Sequence, residues 1–237
     1  HWVFHMDNSL RGDTGEMVLK RPLNRRQLPE AFEQLDDIKK KANYVPELSH
    51  RCSVHVHLNV NYMTNYELVK YITIYSIYEL YFFDVHGAQR KGNPFCLRLS
   101  DSASFARTFV DCLIAENYRT VGNENYRYMA LNLAALLKYG SLEFCSHEGS
   151  ATNEPVAKWV ECLLEILDWV RENYKASPPD ILYELSNMGL EDFTKTNFPK
   201  IWEYIEPVFK LIPYRIPVNI AQDIAFGADW VNAPEEK

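Results

Sequence analysis

The chain has 237 residues, and its 25 basic and 32 acidic side chains give a net charge of -7. This excess of acidic side chains disfavours the basic surface that nucleic-acid binding needs, so we expect no nucleic-acid partner. The sequence has no run of 18 apolar residues that would predict a membrane helix, so we expect no membrane partner either. Five cysteines without CxxC spacing favour a reduced protein, and we expect a cytoplasmic location.

The first predicted elements are a strand hairpin and a helix. Residues 1–23 read as strand, polar turn and strand, because Asp, Asn, Ser and Gly are concentrated over 7–15. Apolar residues at helical spacing predict a helix over 28–42, with lysines in its last turn, where cations suit the helix dipole.

The stretch CSVHVHLNVNY, residues 52–62, predicts a strand with two different faces. Side chains alternate along a strand. One face therefore carries Val54, Val56, Leu58 and Val60, and the other carries Ser53, His55, His57 and Asn59. Two imidazoles two residues apart could share a metal ion or a phosphate, although a solvated polar face is the commoner origin of such a pair.

Helical patterns fill most of the remaining chain. Thr64 and Glu67 form a capping-box pattern before an amphipathic stretch over 68–83. Further helices are predicted at about 102–115 and 154–174, and the rest alternates short helical pieces with prolines. One α+β domain is the simplest account.

A second ionisable strand follows at SLEFCSH, residues 141–147. Leu142 and Phe144 lie on one side, and Ser141, Glu143, Cys145 and His147 lie on the other. If both strands share a sheet, Glu143 and His55 would meet. Glu16 begins a third candidate strand. Buried carboxylates need partners, so these residues indicate a metal, a phosphate or water-filled access.

The order of the motifs is more specific than any one of them. W-x-x-x-x-D-x-S-L-R-G-x-x-G-E, S-x-x-C-S-V-H-V-H, R-Y-x-x-L-N-L and S-L-E-F-x-x-H-E-G-S follow one another over roughly residues 2 to 170. This series resembles the putative amidoligase family, which belongs to the carboxylate–amine ligases that share the glutamine synthetase catalytic fold.

The resemblance implies an α+β fold with a curved antiparallel sheet of the glutamine synthetase type, helices packed on one side and a helical C-terminal part. We expect a single domain over 1–237, with a sheet-bearing catalytic part at 1–150 and a helical part at 151–237. The family's first strand, G-x-E-x-E, would precede residue 1, and we expect the chain to lack it.

The implied activity is ATP-dependent ligation with Mg²⁺ or Mn²⁺. A peptide or amino-acid carboxylate takes the γ-phosphate, and an amine substrate attacks the acyl phosphate to form an amide or isopeptide bond. A homo-oligomer or a protein partner is also compatible with the aromatic-rich helices.

The resemblance also assigns metal ligands. Glu16 would bind one ion, while His55 and Glu143 would hold the other. Mg²⁺ prefers carboxylate oxygens and retained waters, which suits such a set.

Phosphate and substrate contacts are assigned in the same way. Arg127 would neutralise the transferring phosphoryl group, and His57 would lie near the phosphates or the substrate, so Arg127, His57 and Glu143 form the expected catalytic set. Asn132 would shape the loop and help to bind ATP, as would Lys138, with Arg98 as a further anion contact. The family usually has arginine where this chain has Cys145, and cysteine supplies no fixed positive charge.

Two other functions fit parts of the sequence. A non-catalytic relative would keep the fold as a structural or partner-binding protein, and the Cys145 position favours it. A metal-dependent oxidoreductase or hydrolase would use HxH with a later Glu, as cupin-like sites do, but it leaves R-Y-x-x-L-N-L without a role.

Overall fold

The structure is a computed structural model that describes residues 1–6, 14–43, 51–87, 90–102, 104–115, 117, 126–210 and 218–232. The strands in this part of the chain are β1 (Trp2–Met6), β2 (Gly15–Leu19), β3 (Ser53–Asn59), β4 (Leu131–Asn132) and β5 (Ser141–Glu148). The helices are α1 (Leu28–Ala42), α2 (Asn65–Val85), α3 (Phe105–Ile114), α4 (Ala134–Tyr139), α5 (Glu154–Glu172), α6 (Pro178–Met188), α7 (Leu190–Asn197), α8 (Pro199–Phe209) and α9 (Val218–Asn232).

The predicted α+β class is confirmed, whereas the described residues show no curved sheet of the glutamine synthetase type. The described strands form two small antiparallel sheets, one with the order β1-β2 and one with the order β3-β5-β4. β4 has only two residues, so the third strand of its sheet is much shorter than β3 and β5. Most of the described chain is helical instead.

The N-terminal hairpin and the helix over 28–42 are confirmed. β1 pairs with β2, and the Trp2 indole Nε1 donates to the Ala31 carbonyl of α1 at 2.6 Å. Residues 7–13 of the predicted turn lie outside the described residues. α1 is in turn joined to the start of α5, because Asn153 Nδ2 donates to the Phe32 carbonyl at 2.8 Å.

β5 is the middle strand of the second sheet and contains a bulge. Val54 lies opposite His147 and Val56 lies opposite Phe144, so the single residue between them on β3, His55, faces two residues on β5. An extra residue reverses the alternation of side chains beyond it. His147 therefore shares the core face with Val54, and its predicted place in the ionisable row is wrong.

α2 is buried on all sides, so its predicted amphipathic character is also wrong. Every residue from Leu68 to Phe83 except Leu80 is buried. The helix packs against β5, α5, α6, α8 and α9. The predicted capping box is confirmed at its start, where Thr64 Oγ1 accepts from the Glu67 amide and the Glu67 carboxylate accepts from the Thr64 amide.

Several polar side chains of α2 have hydrogen-bond partners inside this packing. Lys70 Nζ donates to the carbonyls of Asn173 and Tyr174 at 3.0 and 3.2 Å, at the carbonyl end of α5, where a cation is favoured. The Tyr71 hydroxyl donates to the Leu163 carbonyl at 3.0 Å. Helix α2 thus joins the sheet to the helical part through both apolar and polar contacts.

The helix predicted over 154–174 is confirmed as α5, which buries Trp159, Leu163 and Ile166 against this core. Of the later helices, α6, α8 and α9 also pack against α2. Within the described residues, none of the helices combines the length and the apolar character that a membrane crossing requires.

Among the described residues of α2, Glu79 is the only acidic side chain that is almost fully buried, with 2% exposure. Its two carboxyl oxygens lie 3.0 and 2.9 Å from the Leu99 amide nitrogen, which donates to them. Burial raises the pKa of Glu79 to about 8, although this hydrogen bond opposes the shift.

We therefore predict that pH controls stability through Glu79. The unfolded carboxyl loses its proton near pH 4.5 and the folded one near 8, so the folded state binds more protons between these values. Stability should fall by about 1 kcal/mol per pH unit through this window as pH rises. Glu79→Gln keeps an acceptor for Leu99 without the charge and should remove this fall.

Urea unfolding of wild type and Glu79→Gln at several pH values measures the difference. Glu33→Gln, which removes an exposed carboxylate from α1, is the control and should retain the wild-type slope. Parallel pH profiles for wild type and Glu79→Gln would contradict the prediction.

Candidate functional site

Glu143 lies at the centre of a row of polar side chains that crosses the three-stranded sheet. In the strand register His57 of β3 and Asn132 of β4 lie directly opposite Glu143 of β5, one on each side. The Asn132 amide Nδ2 donates to Glu143 Oε2 at 2.7 Å. On the other side, His55 Nδ1 lies 3.1 Å and His57 Nε2 3.8 Å from Glu143 Oε1. The predicted meeting of Glu143 and His55 is confirmed.

The Glu143 carboxylate is held in its charged form. Burial by itself raises the pKa of this half-buried carboxyl, but the hydrogen bond and charge of His55, the charge of His57 and the hydrogen bond from Asn132 outweigh it. The net effect is a pKa below the ordinary value. Glu143 is therefore an ionised acceptor at neutral pH.

For the pKa of His57, burial has the largest effect and is not outweighed by the neighbouring charges. Burial lowers the pKa of its imidazole, and the positive charge of His55 lowers it further, against the raising effects of Glu143 and Glu16. The net pKa lies below the ordinary value, so His57 is neutral at neutral pH despite its 3.8 Å approach to Glu143. This contact is consequently not an ion pair at neutral pH, and His57 can accept a proton.

The negative charge of Glu16 raises the pKa of His57, so the start of β2 lies within electrostatic range of the site. Glu16 itself is exposed, and it lies opposite His5 in the hairpin. The structure thus brings Glu16 near the row but gives it a separate sheet.

Neighbouring hydroxyl groups orient the two imidazoles. His55 Nε2 lies 2.7 Å from Ser53 Oγ, and His57 Nδ1 lies 3.1 Å from Ser141 Oγ. The His57 ring also meets the Tyr139 ring edge-on, with centroids 5.8 Å apart. The alternation of β3 and β5 placed both serines in the ionisable rows, whereas no sequence signal identified Tyr139.

Asn132 is fixed at both ends of its amide. While Nδ2 donates to Glu143, Oδ1 accepts from the Ala134 amide at 2.9 Å, at the first residue of α4. The predicted loop-shaping role of Asn132 thus has a definite form, because it ties the start of α4 to the central carboxylate. Its contact with ATP remains a prediction.

The predicted anion-binding cations each contact a side chain outside the row. Arg127 is exposed in the turn before β4, with its guanidinium 5.1 Å from the centre of the Tyr128 ring. Lys138 is exposed on α4, and its Nζ lies 4.9 Å from the centre of the Tyr139 ring. Arg98 is engaged elsewhere, since its Nη2 lies 2.7 Å from Asp101 Oδ1.

Metal binding at this row would need ligands from outside it. No group of three or more His, Cys, Asp or Glu side chains among the described residues has the arrangement of a metal site. His55 and Glu143 are two ligands at most, and substrate oxygens or water would complete the shell. Mg²⁺ commonly binds in this way, through one or two carboxylates together with phosphates and water.

The fold and the site define an α+β protein with a charged carboxylate, flanked by imidazoles, on the face of a small sheet. The family described as putative amidoligase enzyme matches residues 20–167, which is more than half of the chain. The chain belongs to this family. All four residues of the row, from β3, β4 and β5, lie inside the matched part. No curated protein and no solved structure matches the chain.

We predict that the pKa of His57 changes when the charges around it are removed. In metal-free protein its pKa should lie below the ordinary value. Glu143→Gln should lower it further, because the main raising charge is lost, and Glu16→Gln should lower it by a smaller amount. NMR titration of the imidazole measures this, with Glu33→Gln as the unchanged control. A higher His57 pKa in Glu143→Gln would contradict the assignment.

We also predict that Gly140 is needed to place β5. Gly140 has φ +65, ends α4 and directly precedes Ser141, and a Cβ there would collide with the Asn61 side chain. Gly140→Ala should cost at least about 2 kcal/mol in unfolding free energy. Gly92→Ala, at φ +69 but in open space, should cost only about 1 kcal/mol. Urea unfolding compares them, and equal losses would refute the role of Asn61.

Proposed function

We propose that the protein is an ATP-dependent carboxylate–amine ligase that forms an amide or isopeptide bond through an acyl phosphate. The observation that carries this proposal is the row of His55, His57, Glu143 and Asn132 across three strands, inside the part of the chain that matches the amidoligase family. The substrates would be a peptide or amino-acid carboxylate and an amine.

The reaction has two steps. A carboxylate oxygen of the substrate attacks the γ-phosphorus, the bond to the β-phosphate oxygen breaks and ADP leaves. The amine nitrogen then attacks the acyl carbon, phosphate leaves and the nitrogen loses a proton. Such phosphoryl transfer depends mainly on positioning and on neutralising charge.

The described side chains suit these needs in different ways. His57 is neutral at neutral pH and can accept the proton that the amine loses. Glu143, kept ionised by its neighbours, would orient the ammonium form of the amine or a bound cation. Arg127, exposed beside β4, would bind phosphate oxygens, with Lys138 as a second cation near Tyr139.

One divalent ion would be held by His55 and Glu143, and a second ion would have Glu16 of the hairpin as a ligand. Bound Mg²⁺ or Mn²⁺ would neutralise phosphate oxygens. The existing contact of His55 Nδ1 with Glu143 Oε1, at 3.1 Å, already keeps these two candidate ligands together.

We predict that the chain binds a non-hydrolysable ATP analogue in the presence of Mg²⁺. Glu143→Gln and His55→Ala should each weaken this binding by about 10- to 100-fold, as loss of a metal-site ligand or its partner commonly does. Isothermal titration calorimetry measures the affinities. Glu33→Gln is the matched control and should bind as wild type does.

Binding that survives both substitutions would remove the row from the nucleotide site. Absence of binding by a folded wild-type chain would contradict the proposal and favour the non-catalytic relative. Where binding is present, ADP release from ATP that requires both a carboxylate and an amine would identify the ligase reaction.

A further inference from the structure

A second cluster of polar side chains lies on the core side of β5, away from the Glu143 row. It consists of His86, Arg90, Trp159 and Tyr204, with exposures of 1%, 1%, 0% and 8%. We call it the Arg90 cluster. A buried guanidinium is unusual, because arginine is almost never fully buried without a partner of opposite charge.

The cluster is anchored to the bulged part of β5. Arg90 Nη2 donates to the Cys145 carbonyl at 2.7 Å, and His86 Nδ1 lies 3.0 Å from Ser146 Oγ. The His86 ring packs against the Trp159 ring with centroids 4.7 Å apart, and against Tyr204 at 6.0 Å. Two consecutive β5 residues thus fix His86 and Arg90 side by side.

Within the part of the chain that the structure describes, several buried nitrogens of the cluster have no hydrogen-bond partner. They are Nε and Nη1 of Arg90, Nε2 of His86 and Nε1 of Trp159. The Arg90 and Trp159 nitrogens can only donate. The cluster therefore presents donors and a positive charge without enough acceptors, which is costly in a buried site.

The neighbouring ionisable groups do not supply the missing negative charge. Burial raises the pKa of the Cys96 thiol to about 11, although a hydrogen bond with Arg90 opposes the shift, and burial also raises the pKa of Cys145, so both thiols stay protonated and Cys96 is only a weak, neutral partner of Arg90. Burial lowers the pKa of His86 and His147, and both are neutral. The Glu148 carboxylate lies against the backbone of Gly87, and among the described residues it makes no hydrogen bond to the Arg90 guanidinium.

We propose that the Arg90 cluster binds a small inorganic anion such as chloride. The anion supplies both the negative charge and the acceptor that the Arg90 and Trp159 donors need. The residues after Arg90, Lys91 and Gly92, are exposed, and an anion would enter beside them. The site is independent of the proposed ligase reaction, since it requires neither nucleotide nor metal.

Thermal unfolding tests the site. The Tm is measured while sodium chloride replaces sodium gluconate at constant ionic strength, without metal or nucleotide. Wild type should show a saturable rise in Tm, about 5 °C when chloride exceeds its Kd 100-fold. Arg90→Met should show no rise, and in gluconate alone it should melt above wild type, because the unbalanced buried charge is gone. The control Arg107→Met changes an exposed arginine of α3 and should follow wild type.

Equal chloride responses of wild type and both variants would overturn the proposal, and internal water would then be the partner of these donors. If Arg90→Met does not fold, ³⁵Cl NMR of the unmodified chain still decides the matter. Excess broadening of the chloride signal that decreases when bromide displaces chloride supports the site. If the chloride signal shows no excess broadening, the proposal is overturned.

Discussion

Burial of α2 on every side is the constraint on which the other parts of this protein depend. A helix without a solvent-facing stripe must be enclosed by other elements, and here β5 and the later helices enclose it. Phe144 of β5 contributes to this packing, with its ring 5.0 Å from Tyr75 and 6.0 Å from Tyr71. Since Phe144 points into the core, the adjacent Glu143 must point to the opposite face, where the site is.

The bulge in β5 divides the ionisable residues of that strand between two environments. Before the bulge, Glu143 faces His55 and His57; after it, His147 enters the core beside His86 and Trp159. A strand of regular alternation would have placed His147 in the row. One added residue therefore separates a half-exposed site from the buried Arg90 cluster, while the β5 backbone connects them.

The charge states in the row follow from unequal solvation. Glu143 has donors on both sides, so its charged form is favoured despite burial, whereas His57 loses more from burial than it gains from Glu143. The result at neutral pH is an anion beside a neutral base. The site therefore holds an ionised acceptor next to a group that can take up a proton, inside the part of the chain that matches the amidoligase family.

The sequence by itself placed His55 and Glu143 on the ionisable faces of two strands, whose pairing it left open, and it determined the family, the helix over 28–42 and the helix that became α5. These features depend on local periodicity and on motif order, which the chain carries directly. Only the tertiary structure decided the size of the sheets, the burial of α2 on all sides and the side of β5 on which His147 lies. Sheet size depends on pairing between distant segments, and α2 is enclosed by helices far along the chain. The bulge arises from a register mismatch between β3 and β5, so alternation within either strand could not reveal it.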